Sequence, residues 1–509
     1  MSTDPETYLQ QAMQEHQQGN LYDADLLYAQ ALQINPNNIQ ALRLKGILKR
    51  EYGDIDESLK LFTQASKLNP KDAEHINEIA LSHMAAGNLQ QAEQSLRHAL
   101  HTDPESIKAL TNLGALLQQR GHIQEAIHLY QMALEIQPDD VQLRCNYAKT
   151  LSDAGEDEQA LQQCETALKQ SSDHPYVLTV KGAVLLDQKC YEEAGSILET
   201  ARLQGYEEDM ALVNLALALY QTGDIKSATK ILQRAITLNP YNARAVADLT
   251  NCHCTTGNYA DALTLCEEFL KQHPGERLVL GAYALALHNA GQSEQALTLS
   301  NCTKLVHVFD LDTPKGFADL NVFNNALASQ IRSDSSLLTN PVSKSTYGGD
   351  QTGELDMEAS LASKALLTFI QDSVTSVANQ FMASGLDKHP VMAPANGTQM
   401  IRAWGTLIRA GGQQTAHMHP LGWLSGVYYA HLPPDMGAAS AEAGWLEFNK
   451  PPERFYCEAE PDTRRYEPRE GRLIIFPSWF WHQTFPFESK DERISIAFDI
   501  VPLEALRMI

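Results

Sequence analysis

Prolines at Pro36, Pro70, Pro104 and Pro138, and again at Pro240 and Pro274, stand 34 residues or a multiple of 34 apart. A fixed period of this length restricts a chain to architectures in which one small supersecondary unit is repeated and stacked. If the proline is the thirty-second residue of its unit, small residues occupy position 8: Ala12, Gly46, Ala80, Gly114, Ala148, Gly182, Ala216 and Ala284, with Thr250 as the exception. Position 15 is glycine (Gly19, Gly53, Gly87, Gly121, Gly155, Gly223, Gly257, Gly291), and position 20 is alanine in most units, as at Ala24, Ala92, Ala160 and Ala262. Small residues at 8 and 20 let two helices approach, and glycine between them supplies a left-handed turn. A large residue at position 24 (Tyr28, Phe62, Leu96, Tyr130, Leu198, Leu232) is then expected to wedge against the next hairpin.

These matched positions resemble the tetratricopeptide repeat, in nine units over about residues 5–305. The fifth and sixth units depart from the pattern: Ser172 and Tyr206 replace the proline and Lys189 the glycine, which predicts local irregularity. The resemblance implies an all-α superhelix whose concave face receives an extended peptide or a partner protein. Position 6 points to that face in the family and here holds Asn112, Asn146 and Asn214. An asparagine amide both donates and accepts, so a row of them suits a peptide main chain of any sequence.

Charge excludes other partners. With 39 basic against 63 acidic residues the net charge is −24, a field that repels phosphate backbones and anionic membrane surfaces, so no nucleic acid and no membrane are expected as partners. The first residues lack the basic and apolar regions of a signal peptide and no window is long and apolar enough to span a bilayer, which predicts a cytoplasmic protein. Eight cysteines without a C-x-x-C pair read as reduced core thiols. In Cys252-His253-Cys254, alternate residues of a helix lie about 200° apart and do not converge on an ion.

The repeat register stops after Ala296, which divides the chain into an array over 1–304 and a second domain over 305–509 with its core at about 398–503. Leu305–Asp312 alternates as a strand, Leu320–Ile331 and Met357–Phe381 have helical spacing, and the Ser-, Thr- and Gly-rich stretch 333–353 reads as a loop. From Gln399 short alternating runs separated by turns predict an antiparallel sandwich or barrel.

Three stretches of that domain carry chemistry: Ala416–Pro420 (AHMHP), Phe476–Pro486 (FPSWFWHQTFP) and Glu492–Ser495 (ERIS). Two ligands one residue apart at a strand end face one side, and a third from a distant strand completes a facial triad with open positions for oxygen chemistry. His417, His419 and His482 fit that order as metal ligands, and Arg493 with Ser495, alternate residues of one strand, can hold a carboxylate. This pattern resembles the double-stranded β-helix (jelly roll) of the Fe(II)/2-oxoglutarate oxygenases, most closely a subgroup often fused to tetratricopeptide repeats.

The resemblance implies Fe(II), 2-oxoglutarate as cosubstrate and O2, with Arg493 and Ser495 on the far carboxylate. It covers residues 400–503 and, more loosely, 315–400. The middle ligand, usually Asp or Glu, is here His419. Either His419 ligates, giving a three-histidine site, or it does not and two histidines remain; Glu447 is a further carboxylate candidate. Trp404 and Tyr428, ahead of Trp445, Trp479 and Trp481, are expected to wall the cosubstrate pocket. The leading expectation is a dioxygenase hydroxylating a protein or peptide captured by the array. The alternatives are a scaffold with a silent barrel and a small-molecule hydroxylase whose activity survives deletion of residues 1–300.

Overall fold

The computed structural model describes residues 4–170, 173–341, 344–393, 399–438, 440–458 and 461–502. Ser172 and the ends of the expected 398–503 core therefore lie outside the described residues. Paired helices run from Pro5–Gln17 to Ser293–Ser300, followed by a mainly β domain with flanking helices. By internal contacts the chain forms two units, one of residues 1–120 with 125–146, the other running from Tyr147 to the end of the described strands.

The repeat logic is visible in single contacts. Every position-15 glycine from Gly19 to Gly291 has φ between +73° and +88°, the left-handed turn between the two helices of a unit. Lys189 takes that conformation too, at φ +60°, between the helices Pro175–Asp187 and Tyr191–Leu203. The sixth unit's turn thus keeps the repeat geometry at Lys189, while the irregularity expected of that unit shows at the other end, where the helix stops one residue early before Gly205 at φ +88°. Position 24 also differs from expectation. A Cβ on Gly46, Gly114 or Gly182 would lie within about 3 Å of Phe62, Tyr130 or Leu198 of the same unit, so the large residue first fills the space over its own position 8. Tyr28 additionally reaches Ala41 and Leu48 of the following hairpin in one buried cluster.

Among the described residues the second domain contains ten strands: β1 (His307–Asp310), β2 (Leu338–Thr339), β3 (Thr346–Gln351), β4 (Gln399–Gln414), β5 (Leu424–His431), β6 (Leu446–Phe448), β7 (Arg464–Tyr466), β8 (Arg472–Pro477), β9 (His482–Thr484) and β10 (Arg493–Pro502). They form a seven-stranded sheet in the order β1-β8-β5-β10-β4-β3-β2 and a three-stranded sheet β7-β6-β9. This two-sheet antiparallel arrangement is a jelly roll. Strands β2 and β3 lie in the stretch expected to be a loop. Gly349 approaches the Leu407 carbonyl so closely that a Cβ would stand 2.2 Å from it, so a composition typical of loops here permits strand pairing.

On β10, Ile494, Ile496, Phe498 and Ile500 are buried. They share one hydrophobic core with Phe323, Leu327 and Ile331 of the helix Leu320–Arg332 and with Leu366 and Ile370 of the helix Leu361–Ala383. Each such side chain contributes about 1.5–3 kcal/mol. The alternate residues Arg493, Ser495 and Ala497 face a cavity between the sheets instead. No helix among the described residues is long and apolar enough to cross a membrane.

The last repeats and the jelly roll belong to the same compact unit. Arg277 donates to the Leu421 carbonyl at 2.9 Å, and the Trp479 indole to the Leu299 carbonyl at 3.0 Å. Gly281 meets Met418 so closely that a Cβ would stand 2.8 Å from its methyl group. Cys252 and Cys254 are buried in two different clusters, so their thiols do not converge, and burial pushes them up to about 12 and about 11. Among the cysteines expected in cores, Cys190 is exposed.

Candidate metal centre and cosubstrate cavity

Strand β4 ends at Gln414, and the chain turns through Thr415–Pro420 before β5. This turn is fixed on β9: the His417 N–H donates to the His482 carbonyl at 3.0 Å and the His482 N–H to the His417 carbonyl at 2.9 Å. The His419 N–H adds a bond to the Ser478 carbonyl at 2.9 Å. Backbone pairing therefore brings together three histidines from two distant segments, with ring centroids 4.1 to 5.1 Å apart. Among the described residues, they are the one group of His, Cys, Asp and Glu found with metal-holding spacing.

The second nitrogen of each ring decides what that group can do. His417 Nδ1 lies 2.7 Å from the Thr415 carbonyl and His482 Nδ1 2.9 Å from the Phe480 carbonyl. His419 Nδ1 lies 2.7 Å from the Asp499 carboxylate. Carbonyl and carboxylate oxygens only accept, so Nδ1 of each ring carries a proton and donates to its oxygen, leaving Nε2 to face the other two rings. Burial, reinforced by the neighbouring His419, pushes His417 down to about 3 and His482 well below its ordinary value, so both are neutral near pH 7. The Nε2 atoms of His417 and His419 are 3.2 Å apart, close to the separation of two adjacent ligands with bonds of roughly 2.1 Å to one ion. A proton on one of the two makes this contact a hydrogen bond, and a cation bound by both takes its place. The Ser345 hydroxyl also lies 3.2 Å from His417 Nε2.

His419 and His482 also line a cavity with Arg493, Ser495, Thr406 and Tyr429. Arg493 is only 1% exposed; it donates to the Gly444 carbonyl at 3.0 Å and to the Thr484 hydroxyl at 3.3 Å, while its Nε has no partner. The Tyr429 hydroxyl is likewise buried without a partner, and burial pushes it up to about 12. A buried guanidinium that no carboxylate neutralises, beside an orphaned hydroxyl, calls for an anion. Ser495 Oγ bonds Thr406 Oγ1 at 2.8 Å. The residues thus fit both halves of the expected assembly, a cation on three imidazoles and an anion on Arg493.

The other expected residues scatter. Trp404 stacks on His419 at 5.6 Å and 20°, against a metal-site ring and not among the residues that line the cavity. Tyr428 is corrected: its hydroxyl donates to Asn324 at 2.6 Å on the helix Leu320–Arg332, on the opposite face of the sheet. Tyr429 takes the place expected of it, because β5 pairs with β10 so that Tyr429 stands opposite Ser495. Glu447 is corrected as well: its carboxylate is bound by Arg465 at 2.9 Å and Gln483 at 2.7 Å, away from the histidines. Asn112 donates to Asn77 at 2.8 Å and Asn146 accepts from Gln142 at 3.3 Å. Asn112 and Asn146 belong to the first unit and Asn214 to the second, and none lines the cavity.

Asp499 was missed by sequence reasoning, although a signal existed. It continues the inward alternation of Arg493 and Ser495 on one strand, where an acid is costly without a partner. Its carboxylate also accepts from Ser425 at 2.6 Å.

Residues 402–499 match the family described as "Putative 2OG-Fe(II) oxygenase". Tetratricopeptide models match 83–144, 117–184 and 219–285, and a second such model 43–107 and 179–243. No curated protein matches. Similar solved structures include a crystal structure of MamA protein, 19% identical over 32% of this chain and 90% of that one with a TM-score of 0.29. A tetratricopeptide repeat protein from Parabacteroides merdae is 22% identical over 42% and 84% with a TM-score of 0.36. The Cut9-Hcn1 hetero-tetramer of the APC/C is 16% identical over 52% of each chain with a TM-score of 0.41. The chain thus carries tetratricopeptide repeats followed by a region, residues 402–499, that is similar to the "Putative 2OG-Fe(II) oxygenase" family.

Proposed function

We propose that the protein is an Fe(II)- and 2-oxoglutarate-dependent dioxygenase that hydroxylates a protein or peptide bound by its repeats. The observation that carries this reading is the convergence of three imidazoles beside a cavity holding the unpartnered Arg493 Nε. In this reading His417, His419 and His482 all hold Fe(II), and Arg493 with Ser495 receives the far carboxylate of 2-oxoglutarate. Bound Fe(II), 2-oxoglutarate and O2 supply oxidative decarboxylation of the cosubstrate coupled to hydroxylation of a C–H bond.

The chain's own groups orient and shield. Asp499 holds His419 in the tautomer that aims Nε2 inward and supplies a negative charge one ring away, where the family's carboxylate ligand would have supplied it directly. Trp404 covers the outer face of His419, and Phe476 stands against His482 at 4.8 Å, keeping water from the rings. Tetratricopeptide arrays mediate protein interactions in general, which favours a polypeptide substrate.

Anaerobic addition of Fe(II) and 2-oxoglutarate, followed by the weak metal-to-ligand charge-transfer band, tests the reading. The band should form in the wild type, vanish in His417→Ala and His482→Ala, and need at least tenfold more 2-oxoglutarate in Arg493→Ala. Retained chelation in all variants rules out this site; chelation without succinate release, with any peptide offered, would favour the silent scaffold.

A further inference from the structure

The loop between β6 and β7 is held by the repeats in a way the oxygenase reading does not require. Asn251, in the helix Ala243–Thr255, donates from Nδ2 to the Arg454 carbonyl at 3.2 Å and accepts the Tyr456 N–H at 2.8 Å. Asn289, at the end of the helix Arg277–Asn289, donates to the Tyr456 carbonyl at 3.0 Å and accepts the Glu458 N–H at 2.9 Å. Two side-chain amides thus read the main chain of residues 454, 456 and 458 in turn, the pattern that one edge of an extended peptide offers. None of these four bonds depends on which side chains the segment carries.

The segment is a strap with pinned ends and a seated middle. Asn449, at φ +69°, donates to the Asp462 carbonyl at 3.0 Å and to the Ser300 carbonyl at 2.9 Å, closing the loop on itself and on the last repeat. Arg454 and Phe455 close a cavity lined by Ala216, Leu217, Tyr220, Asp248 and Cys252 of the repeats. On its other side the Phe455 ring lies 4.9 Å from Trp481, the residue before His482. Phe448, which leads into the strap, pairs with His482 across β6 and β9.

We propose that the inner helices of the last repeats form a main-chain binding site for an extended peptide with an aromatic residue, and that Arg454–Glu458 fills this site as an internal ligand. A client peptide that takes the same asparagines must displace the strap, and Phe448 and Trp481 carry that displacement to His482. The tether gives the strap an effective concentration of about millimolar, so only a peptide with better side-chain contacts in the cavity displaces it at lower concentration. Binding at this site stands whether or not the barrel is an oxygenase.

The test uses the full chain and a fluorescein-labelled synthetic peptide spanning Pro452–Glu458. Replacing Glu453–Glu458 by a Gly/Ser segment of equal length leaves the main-chain bonds possible but takes Arg454 and Phe455 out of the cavity, so the strap should hold the site less tightly than a peptide that carries them. The replaced protein should bind the peptide at least tenfold more tightly than wild type, and Asn251→Ala or Asn289→Ala added to it should weaken binding about tenfold. Equal binding to replaced and wild-type protein, or none to a replaced protein that keeps its β10 amide protection, overturns the proposal.

If the replaced protein does not keep that protection, hydrogen exchange on the wild type decides. Peptide at about millimolar concentration should speed exchange of the Tyr456 and Glu458 amides while β10 stays protected. Unchanged exchange overturns the proposal.

Discussion

The array and the jelly roll solve the same packing problem at different ranges of sequence. In the array a glycine or alanine at position 8 is covered by the large residue sixteen positions later, as Gly46 is by Phe62, and the solution is repeated. In the jelly roll the decisive contacts join segments far apart: His417 to His482, Tyr429 to Ser495, Asp499 to His419. Damage to a repeat should therefore be local and partial, whereas damage to the barrel should remove its fold and its site together.

The largest expected effect comes from separating the two regions. A chain beginning at residue 301 loses the carbonyl partner of Trp479, the Gly281 seat of Met418 and both asparagine clamps. Its near-UV circular dichroism should collapse and metal binding should disappear. A native near-UV spectrum would show that the barrel stands alone and would restore the deletion-tolerant reading of a small-molecule enzyme.

A matched pair of glycine substitutions sharpens the contrast. A Cβ on Gly426 would lie 2.3 Å from Phe498 and 2.7 Å from the Ile474 carbonyl, so Gly426→Ala should cost about 3 kcal/mol, and with it the site. Gly53 has φ +77° and nothing within 4 Å of a built Cβ, so Gly53→Ala should cost only about 1 kcal/mol of backbone strain. Denaturant midpoints of the two variants measure the difference; equal costs would contradict it.

Acid should act on the barrel through its histidines. Unfolded imidazoles take up protons below about pH 6.5, while folded His417 does so only near 3 and His482 well below its ordinary value. The unfolded state then binds more protons, and stability of the metal-free protein falls as pH drops from about 6.5 towards 3, with no slope from these groups above it. Urea midpoints across that window check this, and His417→Asn should flatten the slope. The smallest effect is a gain. Lys189 holds φ +60° in a glycine position, so Lys189→Gly should raise the denaturant midpoint by the equivalent of about 1 kcal/mol.

The range of the contacts also decided what could be read from the sequence. Proline, glycine and alanine recur because each unit meets the same local constraint, so helix pairs, turns and their number followed from spacing. The three histidines, Arg493 and Ser495 were legible because strand alternation and chain order suffice to place them on one side. Tyr428 against Tyr429 was not legible: adjacent residues of a strand face opposite ways, and the choice depends on register with β10, which shifts between Ile494 and Ser495. Strands β2 and β3 were hidden because glycines that permit close pairing are also loop residues. Asn251 and Asn289 occupy different positions in their units, so no repeat pattern marked them as a pair.

The central claim is that three imidazoles form one cation seat, with His419 an equal member. Anaerobic titration with Co(II), read by its visible absorption, tests it without cosubstrate or turnover. The account predicts one ion per chain in the wild type and at least hundredfold weaker binding in each of His417→Ala, His419→Ala and His482→Ala. Binding unchanged in His419→Ala would reduce the seat to two histidines, and binding unchanged in all three variants would contradict the account.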